Sequence, residues 1–326
     1  MKFDILVPQY KETDEVIKPL LDSIALQQLV DFRDIGVIIV NDGSDVHLSD
    51  ELINSYPFKI KYILSEHGGV SATRQKALDA STADYVMFCD ADDMFYNMTG
   101  LWFVFQQIKI HGFDTFVSVF LEETKMPNGE HFYIDRQMDS TFVHGKVHRR
   151  RYLLEQNIRW NPDLTIHEDS YFNILCQKCA APDKAIYCPM PFYLWKWRDE
   201  SVCRNDFKYI LKTYNNMLDS NTALVKELIN RRKEQDAAFY VVNMVYDAYF
   251  TMNKDEWIHQ ENKEYRDATE KRFAEYYKNF KNRFESVPKE QHGQVLQGLR
   301  NRFYQEGMFL EKQTFDQWIE HIEKLI

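Results

Sequence analysis

Tyr85-Val86-Met87-Phe88-Cys89-Asp90-Ala91-Asp92-Asp93 is the stretch on which the reading of this chain turns. Five apolar residues run unbroken into a cluster of acids. An apolar run of this length, closed by turn-forming residues, predicts a strand buried on both faces, as in a parallel sheet. The acids then stand where the strand ends. Asp90 and Asp92, two positions apart, can both reach one hard divalent cation. Mn²⁺ or Mg²⁺ prefers such oxygen ligands and bridges readily to phosphate oxygens. An ion held there offsets charge that builds on a departing diphosphate. The plain alternative is an acidic turn, because Asp is common after strands.

Working outward, residues 4–7, 35–40 and 60–64 predict further strands, and residues 13–28 and 70–80 predict helices. Strands alternating with helices give an α/β class with a mostly parallel sheet flanked by helices. The loops after the strands then gather along one edge, where open α/β sheets bind ligands. In order they read Val7-Pro8-Gln9-Tyr10, then Val40-Asn41-Asp42-Gly43-Ser44-Asp45, then Glu66-His67-Gly68-Gly69-Val70-Ser71-Ala72-Thr73-Arg74, then the acidic loop. Asp42 can accept hydrogen bonds from a base or ribose hydroxyl; the alternative is a local Asx-turn. Arg74 can reach a phosphate or a carboxylate of the metal site; the alternative is a surface salt bridge of little consequence.

From about residue 205 the texture changes. Tyr214, then Phe239, Val242, Val245, Tyr246 and Tyr249 recur at helical spacing. An all-helical C-terminal module of four to six helices is expected, its aromatic stripes serving as core. The chain of 326 residues thus divides into 1–204 and 205–326, and 44% hydrophobic content suffices for a sizeable core. A net charge of −10 argues against general nucleic-acid binding. No stretch approaches the ~20 apolar residues of a membrane span. Residues 1–7 are too short and too acidic for a signal core. Five scattered cysteines fit reduced thiols and a cytoplasmic location. Cys176 and Cys179 have CxxC spacing without the second pair that a zinc site needs.

In their order and spacing these segments resemble family 2 glycosyltransferases of the GT-A fold. The first loop is similar to the family's VPxYN segment, the second to VNDGS, the third to NxGxSxAR and the fourth to DxDD. His144-Gly145-Lys146-Val147-His148-Arg149-Arg150 is similar to GKxYRR, and Glu168-Asp169-Ser170-Tyr171-Phe172 to EDxxF. The stretch from Phe192 through Arg198 to Ser201 resembles the segment that closes the catalytic domain. The resemblance covers residues 1–204. His67, Gln75, Gln9 and Lys11 depart from the family's usual residues, on the side that lines the nucleotide.

The resemblance implies an inverting displacement in which a sugar leaves a nucleotide diphosphate, with UDP the expected nucleotide, for an acceptor hydroxyl. Asp169 falls on the family's base, which takes the acceptor's proton; Glu168 beside it orients the site or the acceptor. The plain alternative for this pair is a helix N-terminus, which favours acids. The ion would sit on Asp92 and Asp90. Pro8, Tyr10 and Asp42 would flank the base, with Tyr10 offering a stacking face. His67, Arg74, Asp90, Ala91 and Asp92 would line the nucleotide-sugar. Arg198 and Ser201 are candidates for phosphate or acceptor contacts. A surface polysaccharide or similar glycan is the expected acceptor, with a teichoic-acid-like polymer, a protein or modified nucleic acid left open. The C-terminal helices are a candidate for homo-oligomer contacts. Two other readings stand beside this one. A nucleotidyltransferase would carry a glycine-rich loop after the first strand, where Pro8-Gln9-Tyr10-Lys11-Glu12 has none. A non-catalytic nucleotide-sugar-binding protein of the same fold would not need Asp90, Asp92 and Asp169 together.

Overall fold

A computed structural model describes residues 1–126, 128–137, 139–198, 207–258, 263–305, 307 and 312–325, the side chains of 207–212 and 256 excepted. The chain divides into two compact units, Met1–Ser201 and Val202–Ile326.

The first unit is built on a nine-stranded sheet. Its parallel part is β1 (Phe3–Gln9), β2 (Ile35–Asp42), β3 (Lys59–Ser65) and β4 (Tyr85–Phe88), in the order β3-β2-β1-β4. β1 is registered from Phe3 opposite Ile35 to Gln9 opposite Asn41. Nearly every residue of β2 is buried, as a strand covered on both faces must be. β3, at the edge, leaves several side chains exposed. Between these strands lie α1 (Asp14–Ala25), α2 (Asp50–Asn54) and α3 (Gly69–Ala80). In α1, Ile17, Leu20, Leu21 and Ile24 form the i, i+3, i+4, i+7 stripe that faces the core. That helix stops three residues before the predicted end, where Gln28 N donates to Met98 O (2.6 Å) and leaves the helical ladder, and the Gln27 side chain ties the turn to its neighbours. Its Nε2 donates to Asn97 O (2.7 Å) and its Oε1 accepts from Leu101 N (2.9 Å).

Past β4 the sheet becomes mixed. It continues through β5 (Met94–Phe95), α4 (Gly100–His111), β6 (Thr115–Lys125), β7 (His131–Arg136), β8 (Lys146–Arg149), α5 (Arg150–Glu155), α6 (Glu168–Cys179) and β9 (Ala185–Trp195). β8 runs antiparallel to both β4 and β6, while β9 runs parallel to β6 and antiparallel to β5. Pairing of β8 with β4 and of β5 with β9 brings the 185–195 segment back beside the acidic loop that follows β4.

The second unit is helical: α7 (Phe207–Asn230), α8 (Glu234–Met252), α9 (Asp255–Ile258), α10 (Lys263–Ser286), α11 (Lys289–Gln305) and α12 (Phe315–Glu323). α8 is buried on several faces, through Val241, Val242, Val245, Tyr249, Phe250 and Met252, which marks it as the central helix. Trp318 on α12 is 1% exposed and packs against Tyr249, Phe273 and Phe315. A capping box, Thr314 with Gln317, starts α12. The aromatic stripe is core, except for Phe239, which is 43% exposed. Among the described residues no helix is long and apolar enough to cross a membrane.

Candidate active site

Because β1 to β4 are parallel, the loops that follow them share one edge of the sheet. They are also tied to one another. Lys11 N donates to Ser44 Oγ (3.2 Å), and Cys89 N donates to Leu6 O (3.0 Å). Asp42, buried at the end of β2, reaches across to the start of α3. Its Oδ1 accepts from Gly68 N (2.8 Å) and its Oδ2 from Gly69 N (3.1 Å). His67 Nδ1 lies 3.0 Å from Asp42 Oδ2. Gly43 has φ +70°, and a Cβ there would meet His67 N at 2.5 Å, so the turn between Asp42 and its partners admits only glycine without strain. Tyr10 is 45% exposed and its ring lies 5.2 Å from that of His67. Pro8, next to the end of β1, pairs in register with Val40. A cleft of about 380 Å³ runs beside α3, with Asp42, Ser65, Thr73, Lys76 and Trp160 among its lining. Its lining includes none of Asp90, Asp92 and Asp169.

Arg74 joins the two halves of the site. Its guanidinium is 5% exposed. It donates to Asp90 Oδ1 (2.7 Å) on the acidic loop and to Glu168 Oε1 (2.6 Å) at the start of α6. The guanidinium lies 4.9 Å from the centre of the Trp160 ring. Trp160 in turn is stacked on Phe172 of α6, with centroids 4.1 Å apart and planes 5° from parallel. Burial works to lower the affinity of Arg74 for its proton, but Asp90, Glu168 and Asp169 outweigh it and hold the group charged. Asp90 is pushed up by burial and pulled down further by Arg74 and His144, which leaves it below the ordinary carboxylate range.

The four residues of the DADD loop have distinct surroundings. Ala91 is buried in the core. Asp93 is fully buried; the Tyr193 hydroxyl donates to its Oδ2 (2.7 Å) and Lys196 N to its Oδ1 (3.0 Å). Tyr193 Oη also accepts from Asp90 N (3.1 Å), so one hydroxyl from β9 fixes both ends of the loop. Burial, with the charges of Asp90 and Asp92, raises Asp93 well above the ordinary range. Asp90 and Asp92 keep side chains 31% and 32% exposed. Arg198 bridges Asp92 Oδ2 (3.0 Å) and Glu12 Oε1 (3.5 Å), where Glu12 comes from the loop after β1. Ligand atoms of Asp90, Asp93 and His144 lie within 4.8 Å of one another. His144 is packed flat among Phe142, Tyr193 and Trp195, and burial lowers it to about 4, so it is neutral. With Asp93 committed to Tyr193 and Lys196, the carboxylates with solvent-facing oxygen are Asp90 and Asp92. An all-oxygen pair of this kind fits a hard divalent cation such as Mn²⁺ or Mg²⁺.

Asp169 follows Glu168 in the first turn of α6, and its Oδ1 accepts from Ser170 N (2.7 Å). Burial and the adjacent Glu168 raise it to about 8, against the pull of Arg74 and Lys146. A carboxyl poised near neutral pH suits general base work. The structure thus joins Asp42 to His67 in one group, and Arg74, Asp90, Glu168 and Asp169 in a second, hydrogen-bonded and electrostatic one. Arg198 with Asp92 and Glu12 stands beside it. Ser201 lies outside the described residues. Sequence reasoning did not single out Glu12, Asp93, Trp160 or Tyr193. Only Asp93 lay inside a quoted acidic motif, and nothing in the spacing separates its buried role from that of Asp92.

A family model described as glycosyl transferase family 2 matches residues 4–170. A teichoic acid poly(glycerol phosphate) polymerase of Staphylococcus epidermidis is 41% identical over 96 residues, which are 28% of this chain and 13% of that protein. The chain therefore spans a small part of such relatives. The solved structure of S. aureus TarS 1–349 superposes with a TM-score of 0.63 at 18% identity, covering 95% of this chain and 93% of that one. Its complex with UDP-GlcNAc gives 0.59 at 18% identity, covering 92% of each chain.

Proposed function

From the premise that this chain belongs to glycosyl transferase family 2 and carries a GT-A fold, we propose that it moves a sugar from a nucleoside diphosphate to an acceptor hydroxyl with inversion. The observation that carries this is Arg74, whose one guanidinium holds an acid of the DADD loop and the acid next to Asp169.

In this reading the acceptor oxygen attacks the anomeric carbon as the bond to the diphosphate breaks. Asp169 takes the hydroxyl proton, which needs a base within hydrogen-bond reach. Asp90 and Asp92 would hold Mn²⁺ or Mg²⁺, which offsets the charge of the departing diphosphate when bound. Arg198, already on Asp92, is placed to exchange that carboxylate for a phosphate oxygen. Tyr10 offers its exposed ring to the base, with Pro8 and Asp42 beside it. Arg74 keeps Asp90 and Glu168 in place through the turnover. UDP is the nucleotide this reading favours, supported by the UDP-GlcNAc complex of TarS. A cell-surface polymer is the favoured acceptor, supported by the teichoic acid relative.

UDP release from UDP-GlcNAc, UDP-glucose and UDP-galactose with Mn²⁺ tests this directly. Chelation should stop turnover and added Mn²⁺ restore it. Asp169→Asn should abolish transfer and retain UDP binding by calorimetry. Turnover that persists in chelator removes the metal from the reading, and near wild-type transfer by Asp169→Asn removes the base.

A further inference from the structure

Lys146 is 1% exposed, which is rare for an ammonium. It opens β8, opposite Val117 of β6, one residue before Val147 pairs with Met87 of β4. Its Nζ donates to the Phe142 carbonyl, and among the described residues it forms no ion pair. A buried charge of this kind is held only where another charge compensates it.

Two carboxylates act on its charge, Asp139 and Asp169. Asp139 is occupied locally: its Oδ1 accepts from Thr141 N (2.7 Å), Thr141 Oγ1 (2.8 Å) and Phe142 N (3.0 Å). Among the described residues, Asp169 has only the Ser170 amide. The loop that supplies the Phe142 carbonyl is fastened to the helix that carries Asp169. Asn173 Nδ2 donates to Thr141 O (2.7 Å) and Gln177 Nε2 to Ser140 O (3.0 Å), both from α6. Lys146 and Asp169 therefore sit in one braced frame.

The other charges around the pair are accounted for. Glu168 faces Asp169 from its own helix and Arg74 from α3. Arg74 is divided between Glu168 and Asp90. His144 and His148 feel Lys146, and burial lowers them to about 4 and about 3, so both are neutral. Among the described residues, Lys146 is the cation acting on Asp169 that no ion pair consumes. Burial lowers it to about 8, which leaves it protonated at neutral pH.

We propose that Lys146 is a positioning residue of the transfer reaction, whose buried ammonium, fixed by the Phe142 carbonyl, draws Asp169 toward the carboxylate form that accepts the acceptor's proton. Lys146 retains its own protons throughout; the hydroxyl proton moves to Asp169 alone. This rests on the reading of Asp169 as the base.

Lys146→Gln keeps a donor for the carbonyl and removes the charge. With UDP-GlcNAc and Mn²⁺ as probe, the acid limb of kcat should move up by about one pH unit, the size expected on losing a nearby opposite charge. KM for UDP-GlcNAc should stay within about twofold, since the donor contacts are untouched. Lys146→Arg should return the limb toward wild type. A second measurement needs no turnover: melting temperature from pH 5 to 9 for the wild type, Lys146→Gln, Asp169→Asn and the double variant. Loss of Lys146 should change the pH dependence by a different amount when Asp169 is present than in the Asn background, where only the titration of Lys146 itself is removed. Lys146→Met serves in both assays if Lys146→Gln does not fold. An unmoved acid limb, or a pH effect of equal size in the Asn background, overturns the proposal. Normal transfer by Asp169→Asn would sink the base reading, while the melting cycle still decides whether Lys146 acts on Asp169.

Discussion

Arg74→Met is the substitution whose cost the structure sets most clearly. Methionine reproduces the apolar stem as far as the position of Nε and keeps a polarisable sulfur beside the Trp160 ring, so the packing loss is modest. What it removes is the charge between Glu168, 10% exposed, and Asp90, 31% exposed. Breaking a buried pair by removing one partner costs about 3–5 kcal/mol, because the other charge stays behind without compensation. Asp90 is open enough to regain water, and Glu168 is not, so the lower end applies: about 3 kcal/mol at pH 7. Urea unfolding followed by tryptophan fluorescence measures it. Glu168→Gln added to Arg74→Met removes the stranded charge, and the double variant should recover about 1.5 kcal/mol relative to additivity. A loss below about 1 kcal/mol for Arg74→Met would refute the argument that Glu168 depends on this guanidinium. Full additivity of the two changes would do the same.

Asp169 is raised in the folded chain by burial and Glu168, so the fold holds that proton more tightly than the unfolded chain does. Its contribution is present at low pH and is lost as pH rises through about 8. Asp169→Asn should therefore gain melting temperature relative to wild type as pH goes from 6 to 9, and a constant difference across that range would contradict the sign. Gly43→Ala places a Cβ 2.5 Å from His67 N at positive φ; it should cost about 1–3 kcal/mol in urea unfolding and weaken UDP binding by calorimetry, because the turn aims Asp42. Trp318→Ala should destabilise the chain by about 3–5 kcal/mol, as removal of a large buried aromatic does, and leave UDP binding intact, since Trp318 belongs to the second unit. Intact stability in that variant would show that α12 is not anchored by this ring.

Where the chain repeats a local rule, its fold was legible. The apolar runs of β1, β2 and β4 and the stripe of α1 mark buried strands and a core-facing helix on their own. β8 is different: Lys146-Val147-His148-Arg149 has no apolar run, yet its first three residues are buried. Its burial comes from pairing with β4 and β6, partners whose distance along the chain no local pattern encodes. The antiparallel half of the sheet was missed for the same reason. At the site, the strand-end loops and the Glu168-Asp169 pair were visible as ordered motifs. The division of labour within the DADD loop was not, because it depends on where the Tyr193 hydroxyl arrives, about a hundred residues later.

The carboxylate of Asp42 spans the first free amides of α3. In many nucleotide-binding sheets those amides are the anion seat, since they carry the positive end of the helix. Here the seat is already taken by a side chain of the same sign as a phosphate. Phosphate groups arriving at this edge find those two amides taken and draw their counter-charge from solution or from an arginine such as Arg198. Nucleotide affinity at this edge should therefore follow the surrounding concentration of divalent cation, which makes the ion supply a control on the chain's occupancy as well as on its chemistry.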